Sequence, residues 1–227
     1  MSRTSIETVT GQLLDYAAPT KEMITIEAIG WGTARQPRFC GQTVGEVQYS
    51  VAQHQVYVME VIEEIMEVGS PLNRRMISTA SAEMVAYLND RLSLDRDRLL
   101  VMFLGLFHDG SEAFLCDIPT PAKRLPGLME AYMAVESKLM VAIHDCLGIR
   151  PEDITPEIAA IVHWADQYAL AVEAWHLVPS RGQGEEWSFL LEVDPIDLLT
   201  WKAPVSTSIE AFELFMDAYE YLLAGAE

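Results

Sequence analysis

The chain has 227 residues, half of them hydrophobic, with a mean hydropathy of +0.13, which is enough for one large buried core and short for two domains. No apolar run approaches the ~20 residues of a membrane span, so a membrane protein is not expected. Fifteen basic residues against thirty-four acidic ones leave a formal net charge of −19, a surface that repels a nucleic-acid backbone and, at long range, free nucleotides. The Debye length of about 8 Å at physiological salt still leaves local groups in control of a binding site.

In chain order, the first twenty residues are weakly patterned, lack the long apolar stretch of a signal peptide, and read as an arm or short helix packed on the body or on a second subunit. Thr25 to Trp31 suits a short helix. The stretch from Gly32 to Gln48, rich in Gly, Pro and polar residues, reads as loop. Loops on a rigid scaffold often carry binding groups, here Arg35, Arg38 and Phe39, although two solvated arginines beside a loop anchor fit the same spacing. Ser50-Val51-Ala52-Gln53 has the form of a capping box and opens a helix to about Val68. Val51, Val58, Val61, Ile62 and Ile65 share one stripe of that helix, and His54 falls on it, either as a core histidine or as a ligand. Pro71 interrupts, Met76 to Leu88 supplies another helix, and Asn89 to Asp97 is a charged turn.

Leu99 to Phe107 is apolar on every side, the pattern of a helix buried all round, and it ends in His108-Asp109. Placed together at an inner helix end, these two cannot both be hydrated; a divalent cation suits both, and so does a simple hydrogen bond between neighbours. One further helical turn would set Glu112 on the face of His108 and Asp109. Pro119 and Pro121 stop the helix, with Asp117 just before them and Lys123 and Arg124 after. Gly127 to Leu147 is a long amphipathic helix with Leu128, Tyr132, Val135, Leu139 and Ile143 inward. Its His144-Asp145 repeats the dipeptide and is read as structural, near a helix end whose dipole suits a histidine.

Thr155-Pro156-Glu157 opens the next helix. Its inward stripe, Ile158, Ile161, Val162, Ala165 and Ala169, includes Asp166, and a carboxylate facing a core is costly unless paired. Val178 to Pro204 is predicted as an irregular excursion with a short helix. Thr207 to Leu223 closes the chain as an amphipathic helix on Phe212, Phe215, Tyr219 and Leu222. No convincing strand is seen. Cys40, Cys116 and Cys146 are odd in number and widely spaced, which suits reduced, buried thiols in a cytoplasmic protein. The fold class is all-α: a single-domain bundle of about six to eight helices. It divides into an arm (1–23), a core (24–177) and a loop and helix (178–227) packed on that core.

His54, His108, Asp109 and Asp166 thus occupy inward positions, and two imidazoles with two carboxylates suit a catalytic divalent metal that keeps positions open for water. Mn, Co, Fe, Zn and Mg are all compatible with this set. The order H…HD…D, with gaps of 54 and 57 residues, resembles the HD-domain metal-dependent phosphohydrolase superfamily. YSVAQH (49–54), HDGSEAFLCDIPTPAKR (108–124) and WADQYALAVEAW (164–175) are similar to its 5′-deoxynucleotidase branch. RFCGQ (38–42) is similar to the segment before the first histidine in phage and bacterial relatives, and the likeness covers roughly Ile24 to Leu177.

The resemblance implies an HD-domain helical bundle with one divalent ion held by His54, His108, Asp109 and Asp166. Glu112 would orient or deprotonate water, and Asp117 would lie at the sugar and leaving-group side. Arg38 and Lys123 would meet phosphate, with Phe39 and Gln42 also on the substrate. The branch carries Arg-Trp where this chain has Arg38-Phe39, which would alter stacking. The implied activity is release of phosphate from deoxynucleoside 5′-monophosphates, by a homo-oligomer with no nucleic-acid or membrane partner. Two alternatives stand beside it: a dNTP triphosphohydrolase, for example on dATP, that releases tripolyphosphate, and a non-catalytic nucleotide-binding or assembly protein on the same scaffold.

Overall fold

A computed structural model describes residues 4–90, 95–193, 198, 201–202, 204–205 and 207–225. The body is helical and single-domain, as the sequence stripes predict. Its helices are α1 (Ile26–Arg35), α2 (Val51–Met66), α3 (Pro71–Thr79), α4 (Ala82–Asp90), α5 (Asp95–Phe107), α6 (Glu112–Leu115), α7 (Thr120–Lys123), α8 (Leu128–Leu147), α9 (Pro156–Leu177) and α10 (Ser208–Ala224). No helix among the described residues is long and apolar enough to cross a membrane.

Helix α2 is the axis of the core and packs on α1, α3, α5, α9 and α10. Its stripe of Val51, Val58, Val61, Ile62 and Ile65 is buried, with His54 buried among it. The capping box forms as the sequence predicts. Ser50 Oγ accepts from the Gln53 amide and the Gln53 side chain accepts from the Ser50 amide, both at 3.3 Å, an arrangement that contributes roughly 1 kcal/mol. Helix α9 starts from Thr155 with Pro156 in its first turn, also as predicted. Helix α10 enters the same core: Phe215 and Leu222 are fully buried, and Phe215 meets Phe107 edge-on at 5.3 Å. A single apolar cluster therefore runs across the sequence boundary drawn at Leu177.

Several local expectations are corrected. The first residues, expected as an arm or short helix, form an antiparallel hairpin, β1 (Ser5–Glu7) with β2 (Leu13–Asp15), packed on the body by fully buried Leu14 and by the Tyr16 hydroxyl donating to the Phe114 carbonyl at 2.7 Å. The helix from Thr25 runs on to Arg35, so the loop begins at Gln36 rather than Gly32. Pro71 opens α3 behind the Ser70 cap instead of interrupting. The single helix expected over 76–88 is two, α3 ending at Thr79 and α4 starting at Ala82. Of the charged turn over 89–97, residues 91–94 lie outside the described residues, as do parts of the excursion over 178–204; within the latter, Glu185–Trp187 is a short 3₁₀ turn. Leu128, expected inward, is 37% exposed, because α8 begins at the rim of the body. Cys40 and Cys116 are free as expected but exposed rather than buried.

Candidate metal centre

Three helices bring the four candidate ligands together from positions far apart in sequence. His54 comes from the first turns of α2, His108 and Asp109 from the turn after α5, and Asp166 from the middle of α9. His54 Nε2 lies 3.1 Å from His108 Nε2, 3.2 Å from Asp166 Oδ1 and 3.6 Å from Asp109 Oδ2. His108 Nε2 lies 3.2 Å from Asp109 Oδ2 and 3.8 Å from Asp166 Oδ1. The ligand atoms of His54, His108 and Asp109 all fall within 4.8 Å of one another, a spacing that could hold a metal ion.

The far sides of the two rings decide what the near sides offer. His54 Nδ1 donates to Glu173 Oε1 at 2.6 Å, and His108 Nδ1 donates to the Gly105 carbonyl at 2.7 Å. The Gly105 carbonyl can only accept, and with the Glu173 side chain accepting in the same way each neutral ring carries its hydrogen on Nδ1 and turns an Nε2 lone pair toward the other ring and the two carboxylates. Four acceptors facing one point repel each other unless a cation or shared protons lie between them, and the donor set fits a divalent ion. With protons alone, burial works against charging His108, but Asp109 and Asp166 prevail and lift it to about 9. Burial likewise opposes ionised Asp166, yet its bond to His54 and the charge of His108 bring it down to about 2.

Glu112 reaches this centre by a different route from the one the sequence suggests. Helix α5 ends at Phe107, and a turn closed by Gly110 N–H to the Phe107 carbonyl (2.9 Å) and Glu112 N–H to the Asp109 carbonyl (3.0 Å) leads into the single-turn α6. Glu112 is buried, its Oε2 has no hydrogen-bond partner, and its Oε1 is 3.9 Å from Lys123 Nζ. Burial first, then the charges of Asp109 and Asp117, raise its pKa well above the usual carboxyl range. Asp109, although burial opposes its charge, is held well below that range by His108, His54 and Arg38. Neighbouring carboxyls pushed in opposite directions are a common basis for separate acid and base roles.

Arg38 leans into the cluster. Its Nη1 is 3.3 Å from Asp109 Oδ2 and 3.9 Å from Asp117 Oδ2, and its Nη2 is 3.6 Å from Glu173 Oε2. The turn that carries it is pinned to α2 by Arg38 N–H to the Tyr49 carbonyl (2.9 Å) and by Val51 N–H to the Gln36 carbonyl (3.0 Å). Phe39 and Cys40 next to it, and Cys116 next to Asp117, adopt left-handed φ of 54°, 53° and 69°. Such conformations cost roughly 1–2 kcal/mol each and concentrate at functional sites. Lys123 bridges Glu112 and Glu136, each at 3.9 Å, and sits 4.3 Å from the Tyr132 ring centroid. Phe39 packs 6.5 Å from Trp187, contributed by the segment after α9. Gln42 is exposed, and its recorded bond is from its backbone N–H to the Phe39 carbonyl; the structure does not tie its side chain to the cluster.

Two residues escape the sequence reading. Glu173 is fully buried on α9, seven residues beyond Asp166 and so on the same face. Tyr49, also buried, donates its hydroxyl to Glu173 Oε1 at 3.0 Å. A glutamate in the apolar run of 164–175, two turns past a candidate ligand, was the available signal.

No protein-family model matches the chain. It is similar to an uncharacterized protein of Rhodobacter capsulatus, 28% identical over 174 residues that make up 77% of this chain and 73% of that protein. It is also similar to the uncharacterized Escherichia coli protein YfdR, 25% identical over 217 residues, 96% of this chain and 94% of that one.

Proposed function

We propose that the protein is a metal-dependent phosphohydrolase of the HD-domain type that releases phosphate from deoxynucleoside 5′-monophosphates. The observation that carries this reading is the convergence of two imidazole Nε2 atoms and two carboxylates, with each ring's Nδ1 committed to a fixed acceptor. His54, His108, Asp109 and Asp166 would hold the metal. A divalent ion bound there lowers the pKa of water and neutralises charge on phosphoryl oxygens.

The chain's own groups do the rest. Arg38 and Lys123 attract the phosphate and orient it. Glu112, whose carboxyl proton burial holds more tightly than usual, gives that proton to the bridging ester oxygen as water attacks phosphorus and the phosphorus–oxygen bond breaks, so that the oxygen leaves with the sugar as its alcohol. Asp117, its pKa raised by burial against the pull of Arg38, stands beside it on the leaving-group side. Arg38 and Lys123 are each already shared among acids. That leaves little positive charge for a triphosphate and favours the monophosphate.

The test is a panel of ribo- and deoxynucleotides with one, two or three phosphates, assayed with Mn²⁺, Co²⁺, Zn²⁺ and Mg²⁺ and analysed for product. Orthophosphate from the deoxymonophosphates supports the reading. Tripolyphosphate from the triphosphates would replace it with a triphosphohydrolase. Tight nucleotide binding without any product would replace it with a non-catalytic nucleotide-binding protein.

A further inference from the structure

Glu173 lies outside the ligand set and outside the reaction described above, yet it is the most deeply buried acid near the centre. A carboxylate in an apolar interior is costly unless every lone pair is used. Its Oε1 is well used, taking His54 Nδ1–H at 2.6 Å and the Tyr49 hydroxyl at 3.0 Å. Its Oε2 has no hydrogen-bond partner and faces Arg38 Nη2 across 3.6 Å. One carboxylate thus touches both a ring that would hold metal and the cation that would meet phosphate.

We infer that Glu173 is a positioning residue that fixes His54 as a metal ligand and tethers Arg38, so that metal and phosphate bind cooperatively through it. This rests on the reading of the centre as a metal site but does not require a particular substrate. The bond to Oε1 fixes the His54 tautomer and ring plane, as outer partners of metal-bound histidines do. On the other side, Arg38 is divided among Asp109, Asp117 and Glu173. A cation that draws on the charge of Asp109 weakens one of these three holds, while Glu173 keeps the guanidinium at the site with more of its charge free for an anion. By linkage, phosphate must then strengthen metal binding by the same factor.

The test is a calorimetric titration of the full chain with Mn²⁺, with and without saturating inorganic phosphate, together with circular dichroism melting in EDTA. Glu173→Gln places an amide against His54 Nδ1 and removes the charge facing Arg38. It is expected to lower Mn²⁺ affinity by about 10–100-fold and to bring the phosphate effect close to none. Tyr49→Phe, which keeps the carboxylate and removes one donor to it, guards against a Glu173 variant that fails to fold. It is expected to weaken Mn²⁺ binding in the same direction with phosphate coupling retained. A folded Glu173→Gln that binds Mn²⁺ as the parent does overturns the inference. So does a parent whose Mn²⁺ affinity is indifferent to phosphate. Because both readouts are equilibrium binding, a chain that hydrolyses no nucleotide would refute the proposed reaction and leave this inference to its own result.

Discussion

Glu112→Gln separates the proposed proton donor from the candidate metal centre, and its expected effects on stability and on turnover have opposite signs. The side chain is 3% exposed, and burial with the charges of Asp109 and Asp117 raises its pKa well above the usual range. In the unfolded chain the same carboxyl titrates near its ordinary value of about 4.3, so the folded state binds this proton more tightly. The stability this group contributes is full below that ordinary value and is lost as pH rises toward the raised one. The amide does not ionise and loses nothing over that range. A tenfold difference in proton affinity is about 1.4 kcal/mol, and in a domain of this size each kcal/mol moves Tm by about 2–4 °C. In EDTA at pH 7.5, Glu112→Gln is therefore expected to melt a few degrees above the parent, with the two curves converging near pH 4. Turnover should fall by about 10²–10⁴-fold, the alkaline limb of the pH–rate profile should disappear, and Mn²⁺ uptake should be unchanged. A variant that melts below the parent at pH 7.5, or that keeps the alkaline limb, would refute the reasoning.

Asp109→Ala removes a proposed ligand and a hold on Arg38 together, so Mn²⁺ binding by calorimetry and phosphate release by colorimetric assay should both be lost. Metal uptake should expel a proton, because His108 sits at about 9 when only protons compensate Asp109 and Asp166. Apparent affinity should accordingly rise by about tenfold per pH unit below that value, read as a buffer-dependent enthalpy in Tris against Hepes. Gly32→Ala tests the support of α6: an added Cβ would lie 2.6 Å from both the carbonyl oxygen and Cβ of Ala113. The backbone must give way, costing about 1–3 kcal/mol, and displacement of neighbouring Glu112 should lower turnover more than metal affinity.

The helical class and the inward placing of the candidate ligands were legible because burial and period speak directly in sequence. His54 and Asp166 each interrupt an apolar stripe, and a polar group on such a stripe must find a partner. The capping signals at Ser50 and Thr155 fixed the starts of α2 and α9 for the same local reason. What was hidden depended on contacts between segments. The hairpin over residues 5–15 has strands of three residues, too short for an alternating pattern, and is held by Leu14 and Tyr16 against the body. Glu112 arrives through a turn rather than a continued helix, so its place beside Asp109 was expected on the wrong geometry. Glu173 was missed because a single acid in a long helix looks like a solvated one until His54, Tyr49 and Arg38 are seen around it.

The central claim is that four side chains hold one divalent cation. A crystal of the full chain grown with Zn²⁺ and measured above and below the zinc edge tests it directly. A single anomalous peak is expected about 2.0–2.2 Å from His54 Nε2, His108 Nε2 and one oxygen each of Asp109 and Asp166. No peak at that point, or one that leaves His54 or Asp166 outside coordination range, would contradict it.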